Sequence, residues 1–349
     1  MSQGTAGGSS RGRHAGPAER AGILAVHAHP DDETLATGAL LATWAAAGLP
    51  VTVVTATRGE RGEVIGRRWA HLAGDGAALA AHREGELAAA LRALGVSDHV
   101  FLDRVRLPSD EATLGGGLPG DGAPGPRYED SGMVWAGAGR ATRGAALPPG
   151  ALVSVPLDEV AARLVAVLRD RRPAVVVTYD PRGGYGHPDH VRVHELTMRA
   201  LATVRDDGPE PAVLWRRVGR SALAAACRAL AGDAAAAALG AVRATLTVPD
   251  PWAAPPAMAV PDEDLTLAVP VAPVRAHVLD ALRAHGTQVQ AVRAVDDEAA
   301  LVGCYALSNG VLAPLLPTEG YVQVAGPPVV RPPVVRPPVV RPPAPRPVA

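Results

Sequence analysis

Among the 349 residues, two short clusters combine histidine with carboxylate: His29-Pro30-Asp31-Asp32-Glu33 and, far downstream, His187-Pro188-Asp189-His190 behind Gly183-Gly184-Tyr185-Gly186. Imidazole and carboxylate are the side chains that hold a catalytic divalent metal, and three protein ligands leave one coordination position for water. His29 and Asp32 stand three apart where a strand gives way to a helix, so both can turn toward one point. A histidine of the second cluster would complete the set. Asp31 lies between two ligands without being needed as one, and is placed to take a proton from the bound water. Each cluster alone has an ordinary explanation. Pro followed by acids is how many helices begin, and histidines in a Gly-rich turn can be surface groups. Their joint occurrence at strand ends is what favours a metal site.

The elements that must position these residues follow from periodicity. Gly22 to Ala28 (GILAVHA) is a continuous apolar run of strand length, and Glu33 to Ala47 is rich in helix formers and stops at Gly48. Val51 to Thr57 reads as a second strand, Ala80 to Leu94 as a helix closed by Gly95, and Val100 to Leu102 as a short strand. Residues 157 to 172 place apolar groups at helical spacing behind an acidic first turn, and Ala174 to Tyr179 (AVVVTY) is the most hydrophobic strand. This βαβα order predicts a Rossmann-like α/β fold, a mostly parallel sheet with helices on both faces. Ligands of such sheets bind beyond the carboxyl ends of the strands, near the switch in strand order. The first cluster begins right after the strand ending near Ala28, and the second comes eight residues past Tyr179.

Residues 21–205 are therefore expected to form an α/β catalytic domain. From about Asp206 onward an Ala-rich helix, a Pro-rich loop, a strand near Leu265 to Val271 and a helix from Pro273 to His285 suggest a smaller C-terminal portion, 206–326, closing over the strand ends. Residues 1–20 are small and polar and are expected to be disordered. The stretch from Pro108 to Pro149 is too long for a simple connection. Within it, residues 114–126 read as a flexible insertion, while Arg127 to Trp135 carries groups suited to ligand contact. Residues 327–341 repeat Pro-Pro-Val-Val-Arg three times, a polyproline-II composition that packs no core, and 327–349 are expected to be a disordered tail dispensable for catalysis.

Charge is balanced, 34 basic against 35 acidic residues, so nothing pulls the chain toward nucleic acid or an anionic membrane. The residues before Gly22 lack the apolar core of a signal peptide and the longest apolar runs are strand-sized, which points to a cytoplasmic location. Cys227 and Cys304 are far apart and belong to no Cys-x-x-Cys pair, which argues against a disulfide framework or a thiolate zinc site. The turn after the first strand is His-Pro-Asp-Asp rather than a phosphate-cradling Gly-x-Gly-x-x-Gly, and no Gly-x-Ser-x-Gly supports a serine hydrolase. Two histidines and a carboxylate also hold ferrous iron in oxygenases, but those sites usually sit in β-barrels.

Ala28-His29-Pro30-Asp31-Asp32-Glu33 and Gly186-His187-Pro188-Asp189-His190 resemble the paired motifs of the PIG-L/LmbE-like zinc deacetylases, which remove acetyl groups from N-acetylglucosaminyl compounds. Further segments, Gly59 to Gly66, Arg68-Trp69-Ala70, Asp130 to Met133 and Thr178 to Pro181, resemble the mycothiol-pathway branch, which acts on N-acetylglucosaminyl-inositol. The likeness covers residues 22 to about 200 and reappears at Leu282 to Gln288 and Ala306 to Gly326. It implies one Zn2+ per chain, with Fe2+ possible in the cell, held by His29, Asp32 and His190, and Asp31 as general base. It implies that His187 faces the developing oxyanion, that Tyr185 swings in to assist, and that Asp189 orients His187. It places Glu63, Arg83 and Asp130 on the sugar and inositol hydroxyls of a small-molecule substrate. The products would be acetate and the glucosaminyl-inositol amine; oligomeric state is left open. The sister activity, a mycothiol conjugate amidase, shares this chemistry, as would another LmbE-like N-acetylglucosaminyl deacetylase. Glu60 to Glu63 does not separate deacetylase from amidase, but Val64-Ile65-Gly66 with Arg68-Trp69 favours the deacetylase.

Overall fold

The computed structural model describes residues 22–107, 127–135, 141–144, 147–296 and 298–329. The readings for residues 1–20, for the insertion at 114–126 and for the tail beyond residue 329 lie outside these.

Runs of Val, Ile and Thr that would be costly to expose on either face become the central strands. In chain order the strands are β1 (Ile23–His27), β2 (Val51–Thr55), β3 (Asp98–Phe101), the short pair β4 (Val134–Trp135) and β5 (Ala141–Thr142), β6 (Val175–Thr178), β7 (Ala212–Gly219), β8 (Ala259–Val260), β9 (Leu267–Pro270), β10 (Gln290–Ala294), β11 (Gly303–Ala306), β12 (Leu312–Leu315) and β13 (Thr318–Ala325). The main helices are α1 (Asp32–Ala46), α2 (Gly76–Leu94), α3 (Leu157–Arg171), α4 (Pro188–Thr203), α5 (Arg220–Leu230), α6 (Asp233–Leu239) and α7 (Arg275–Ala284). The sheet runs β3-β2-β1-β6-β7-β13-β9. Its first five strands are parallel, and β13 pairs antiparallel with β7 and β9. Strands β1, β2 and β6 are buried along their whole length, as expected for strands covered on both faces.

The alternation within β1 splits the core into two layers. Ile23 and Ala25 pack with Leu40 and Leu41 of α1, Leu91 and Leu94 of α2, and Val278 and Leu282 of α7. Leu24 and Val26 face the other way, onto Leu164 of α3 and Val193 and Leu196 of α4. Asp75 caps α2 by accepting the Ala78 N–H at 2.9 Å, and Gly95 ends it in the left-handed conformation at φ 77°. Because β1 lies between β2 and β6, the strand order reverses there. The carboxyl ends of β1 and β6 open side by side; the first cluster follows β1 directly and the second follows β6 after the turn through Gly183–Gly186.

The C-terminal region does more than cover the strand ends: β7, β9 and β13 extend the central sheet, while β10, β11 and β12 form a separate antiparallel one. The sequence reading assigns neither β7 nor β13. Arg216 and Arg217 interrupt the apolar run of β7, yet Arg216 is buried, donating to the Gly320 carbonyl at 2.9 Å with its guanidinium 5.6 Å from the Tyr321 ring. Glu319 of β13 accepts the N–H groups of Ala39 and Leu40 in α1 at 2.6 and 2.9 Å, tying the last strand to the first helix. Among the described residues no single helix is long and apolar enough to cross a membrane.

The folded body passes Gly326. Gln323 donates to the Pro327 carbonyl at 2.7 Å and accepts the Val329 N–H at 3.1 Å, and Val329 packs against the first apolar layer. A chain ended after Val329 should therefore keep its melting temperature and turnover, whereas one ended at Gly326 should melt lower. Scanning calorimetry of the two truncations decides this, and a loss of stability on removing only residues 330–349 would show that the repeats pack on the body.

Candidate metal centre

Where β1 ends, the chain turns through Ala28 to Asp31 into α1, and this turn carries the first cluster. Asp32 Oδ2 accepts the backbone N–H of His29 at 3.0 Å and lies 3.3 Å from His29 Nδ1. The same oxygen lies 3.3 Å from His190 Nε2, which enters from the first turn of α4. His190 Nε2 is buried and makes no hydrogen bond among the described residues. A buried imidazole nitrogen whose near neighbours are a carboxylate oxygen at 3.3 Å and the His29 ring is placed as a metal ligand would be. Nitrogens of His29, His187 and His190 lie within 4.8 Å of one another, as do ligand atoms of His29, Asp130 and Asp189. The residues present fit a divalent cation.

The other face of His29 is held by acids. Its Nε2 lies 3.2 Å from Asp189 Oδ2 and 3.6 Å from Asp130 Oδ1, an arrangement that fixes the ring and leaves Nδ1 toward Asp32. Burial opposes a charge on His29, but Asp130, Asp189 and Asp32 together raise its pKa well above the usual range. Burial likewise disfavours the Asp32 carboxylate, and His190 and His29 overcome it and hold the group well below its usual value. A cation held by His29 would compete with the proton that these acids favour.

Asp189 departs from the expected geometry. Its carboxylate accepts the Ser131 N–H at 2.8 Å and the Ser131 hydroxyl at 2.5 Å, and faces His29 rather than His187. Only its backbone N–H reaches His187, donating to Nδ1 at 3.2 Å. That bond leaves the His187 proton on Nε2. Burial, with His29 and His190 nearby, pushes His187 down to about 2, so its imidazole is neutral. Tyr185 lies at the edge of the cluster, its ring centre 5.1 Å from that of His190 and 6.1 Å from that of His187. The turn at Gly183–Gly186 needs glycine: Gly183 has φ 62°, and a Cβ there would meet the Val191 nitrogen at 2.7 Å, at the start of the helix that carries His190.

Asp31 sits at φ 120° and ψ −32°, a region that costs a non-glycine residue about 1–3 kcal/mol. Burial raises its carboxyl to about 6, against the pull of Arg83, whose guanidinium is 3.3 Å away. Arg83 also donates to the carbonyls of Pro30 and Gly59. Of the three expected substrate contacts, Arg83 and Asp130 border the cluster. Glu63 stands exposed on the loop after β2, where its carbonyl accepts from Gln288 at 3.2 Å.

Two features were not foreseen. The Tyr179 ring stacks on His190 at 4.1 Å and 11°, and its hydroxyl accepts the Ala28 N–H at 2.9 Å while bonding to Asp32. Its signal in the sequence is a hydroxylated aromatic at the exit of the most apolar strand, directly before Asp180-Pro181. The second is a fully buried pair, His285 Nε2 to Glu33 Oε1 at 2.7 Å. Burial opposes both charges, yet each partner holds the other ionised: Glu33 falls to about 2 and His285 rises. The Glu33 share of this stability is present above its ordinary pKa and is lost as pH falls toward 2; the His285 share is present below 6.5 and is lost as pH rises through its raised value.

The sequence profile of the PIG-L family, described as GlcNAc-PI de-N-acetylase, matches residues 24–201, the span holding every element of this cluster. The chain is 45% identical over 318 residues to the 1D-myo-inositol 2-acetamido-2-deoxy-alpha-D-glucopyranoside deacetylase of Kineococcus radiotolerans, covering 87% of this chain and 77% of that one. It is 42% identical to the deacetylase of the same description, numbered 1, from Saccharopolyspora erythraea, over 87% of this chain and 89% of the relative. It is also 42% identical to the deacetylase of Streptomyces griseus, over 90% and 86%.

Proposed function

The chain belongs to the PIG-L family of GlcNAc-PI de-N-acetylases, and from that premise we propose that it hydrolyses the acetamide of 1D-myo-inositol 2-acetamido-2-deoxy-alpha-D-glucopyranoside, releasing acetate and the glucosaminyl-inositol amine in mycothiol biosynthesis. The observation that carries the reading is one carboxylate oxygen, Asp32 Oδ2, placed 3.3 Å from His29 Nδ1 and 3.3 Å from His190 Nε2, with Asp31 adjacent. Two imidazoles and one carboxylate suit zinc and admit ferrous iron. We assign His29, Asp32 and His190 as the ligands. When bound, such a cation lowers the pKa of its water to about 7 and polarises the amide carbonyl.

The chain's own groups do the rest. Asp31, raised to about 6 yet ionised near neutrality, takes a proton from the attacking water as the C–O bond forms, and returns it to the departing nitrogen when the C–N bond of the tetrahedral intermediate breaks. His187, neutral with its proton on Nε2, donates to the oxygen that gains charge in the tetrahedral intermediate, and Tyr185 is the second candidate donor. Asp189 and Asp130 orient His29 from behind. Arg83, Asp130 and Glu63 are proposed to meet substrate hydroxyls, Glu63 only after the exposed loop that bears it moves inward. We take residues 21–205 and 206–326 as parts of one enzyme, since β7, β9 and β13 share the sheet that positions the cluster.

Charged pocket groups left unpaired cost rate, so a substrate bearing the inositol hydroxyls should be preferred. The expected result is a kcat/KM for the acetylated pseudodisaccharide more than about tenfold above that for free N-acetylglucosamine, with Asp130→Ala hurting the larger substrate more. Faster cleavage of a mycothiol conjugate in the same assay would replace this reading with the amidase.

A further inference from the structure

The Asp31 carbonyl accepts the N–H groups of Thr34 and Leu35 at 3.0 and 2.9 Å, as the start of a helix requires, while its own N–H has a side chain as its partner. At φ 120° the residue occupies a conformation that persists only where the surroundings over-determine it. Two side chains contribute beyond the turn's own backbone bonds. On one side Arg83 donates to the Pro30 carbonyl and lies 3.3 Å from the Asp31 carboxylate. On the other, the Asp31 N–H donates to Glu33 Oε2 at 2.9 Å. Glu33 is fully buried, and its second oxygen is engaged as well. That oxygen accepts from the Thr34 hydroxyl and, at 2.7 Å, from His285 Nε2, which comes from 252 positions along the chain. His285 is itself rigid: it lies just past α7 with no exposed surface, and its carbonyl accepts the N–H groups of Gln288 and Val289 at 2.9 and 2.8 Å.

We propose that His285, acting through Glu33, is a positioning residue that holds the Asp31 turn in its reactive conformation. The C-terminal region is then required for proton transfer as well as for covering the cleft. A purely structural pair would stabilise α1 and α7 without reaching the Asp31 amide. Here the second oxygen of the same carboxylate is spent on that amide. The inference rests on the reading of Asp31 as proton acceptor, and touches neither substrate nor metal ligand.

The test compares His285→Gln, which places an N–H donor where Nε2 stood, with His285→Leu, which removes it, and with His285→Asn, which stays polar but is too short to reach Glu33. Each is measured per folded, metal-loaded chain, alone and in an Asp31→Asn background. The expected result is a loss of at least about tenfold in kcat for the Leu and Asn variants, with KM within about twofold and metal content unchanged. The Gln variant should recover most of that loss. In the Asp31→Asn background the Leu and Asn variants should lose nothing further. Unchanged kcat in both variants, or an equal loss with and without Asp31, would overturn the inference while leaving Asp31 in place. An Asp31→Asn enzyme that keeps its turnover would overturn the Asp31 assignment and this inference with it.

Discussion

His190→Ala should leave a folded chain that retains less than about a tenth of its metal and loses turnover by at least about a thousandfold. In the proposed set His190 is the ligand drawn from the second strand end, and its Nε2 is a buried nitrogen without a hydrogen bond among the described residues. Removing it leaves His29 and Asp32, two groups of one turn, to hold a cation that normally takes three protein ligands. The ring also stacks on the face of Tyr179, so its removal opens a cavity there. That cavity should cost some stability without unfolding the domain, since the apolar layer around Val193 and Leu196 is untouched. Elemental analysis after dialysis, beside an acetate-release assay, reads both quantities. Full metal content in His190→Ala would remove His190 from the ligand set and return attention to His187, whose nitrogen lies in the same group.

The part of this site that could be read from the sequence is the part that is local. His29 and Asp32 share one turn, His187 and His190 another, and each turn follows a strand whose apolar run is unbroken. The α/β order and the strand ends therefore sufficed to bring the clusters together before any coordinates. What could not be read depends on rotamers and on distant segments. Asp189 and His190 are chain neighbours, and nothing in their spacing tells whether the Asp189 carboxylate turns to His187 or to His29; Ser131, delivered by a separate loop, settles it. Glu33 looked like the acid of an ordinary helix start, and its partner His285 belongs to a region read only as a covering portion. The strand β7 escaped because arginines at its centre mimic a surface segment, although Arg216 is buried against Gly320 and Tyr321.

Asp31→Asn should keep its metal yet lose at least about a hundredfold in kcat, because Asn preserves the shape and the N–H that Glu33 holds while removing the proton acceptor. The pH dependence separates this from a general loss of order. Asp31 must be ionised to act, and its carboxyl is raised to about 6 chiefly by burial, so the wild-type rate should fall on the acid side with a limb no higher than about 6, which the variant lacks. The same shift has a consequence for stability. A carboxyl whose folded pKa exceeds its unfolded one favours the fold most below the unfolded value of 3.8, and that contribution is lost as pH rises through about 6. At neutral pH the ionised group therefore costs the metal-free protein on the order of 3 kcal/mol, which the uncharged amide avoids. Metal-free Asp31→Asn should then melt above the wild type at pH 7.5, with the difference shrinking toward pH 4.5. A variant that turns over normally would exclude Asp31 as the base, and one that is inactive but melts lower at neutral pH would show that its carboxylate is held there by Arg83 more strongly than burial opposes it.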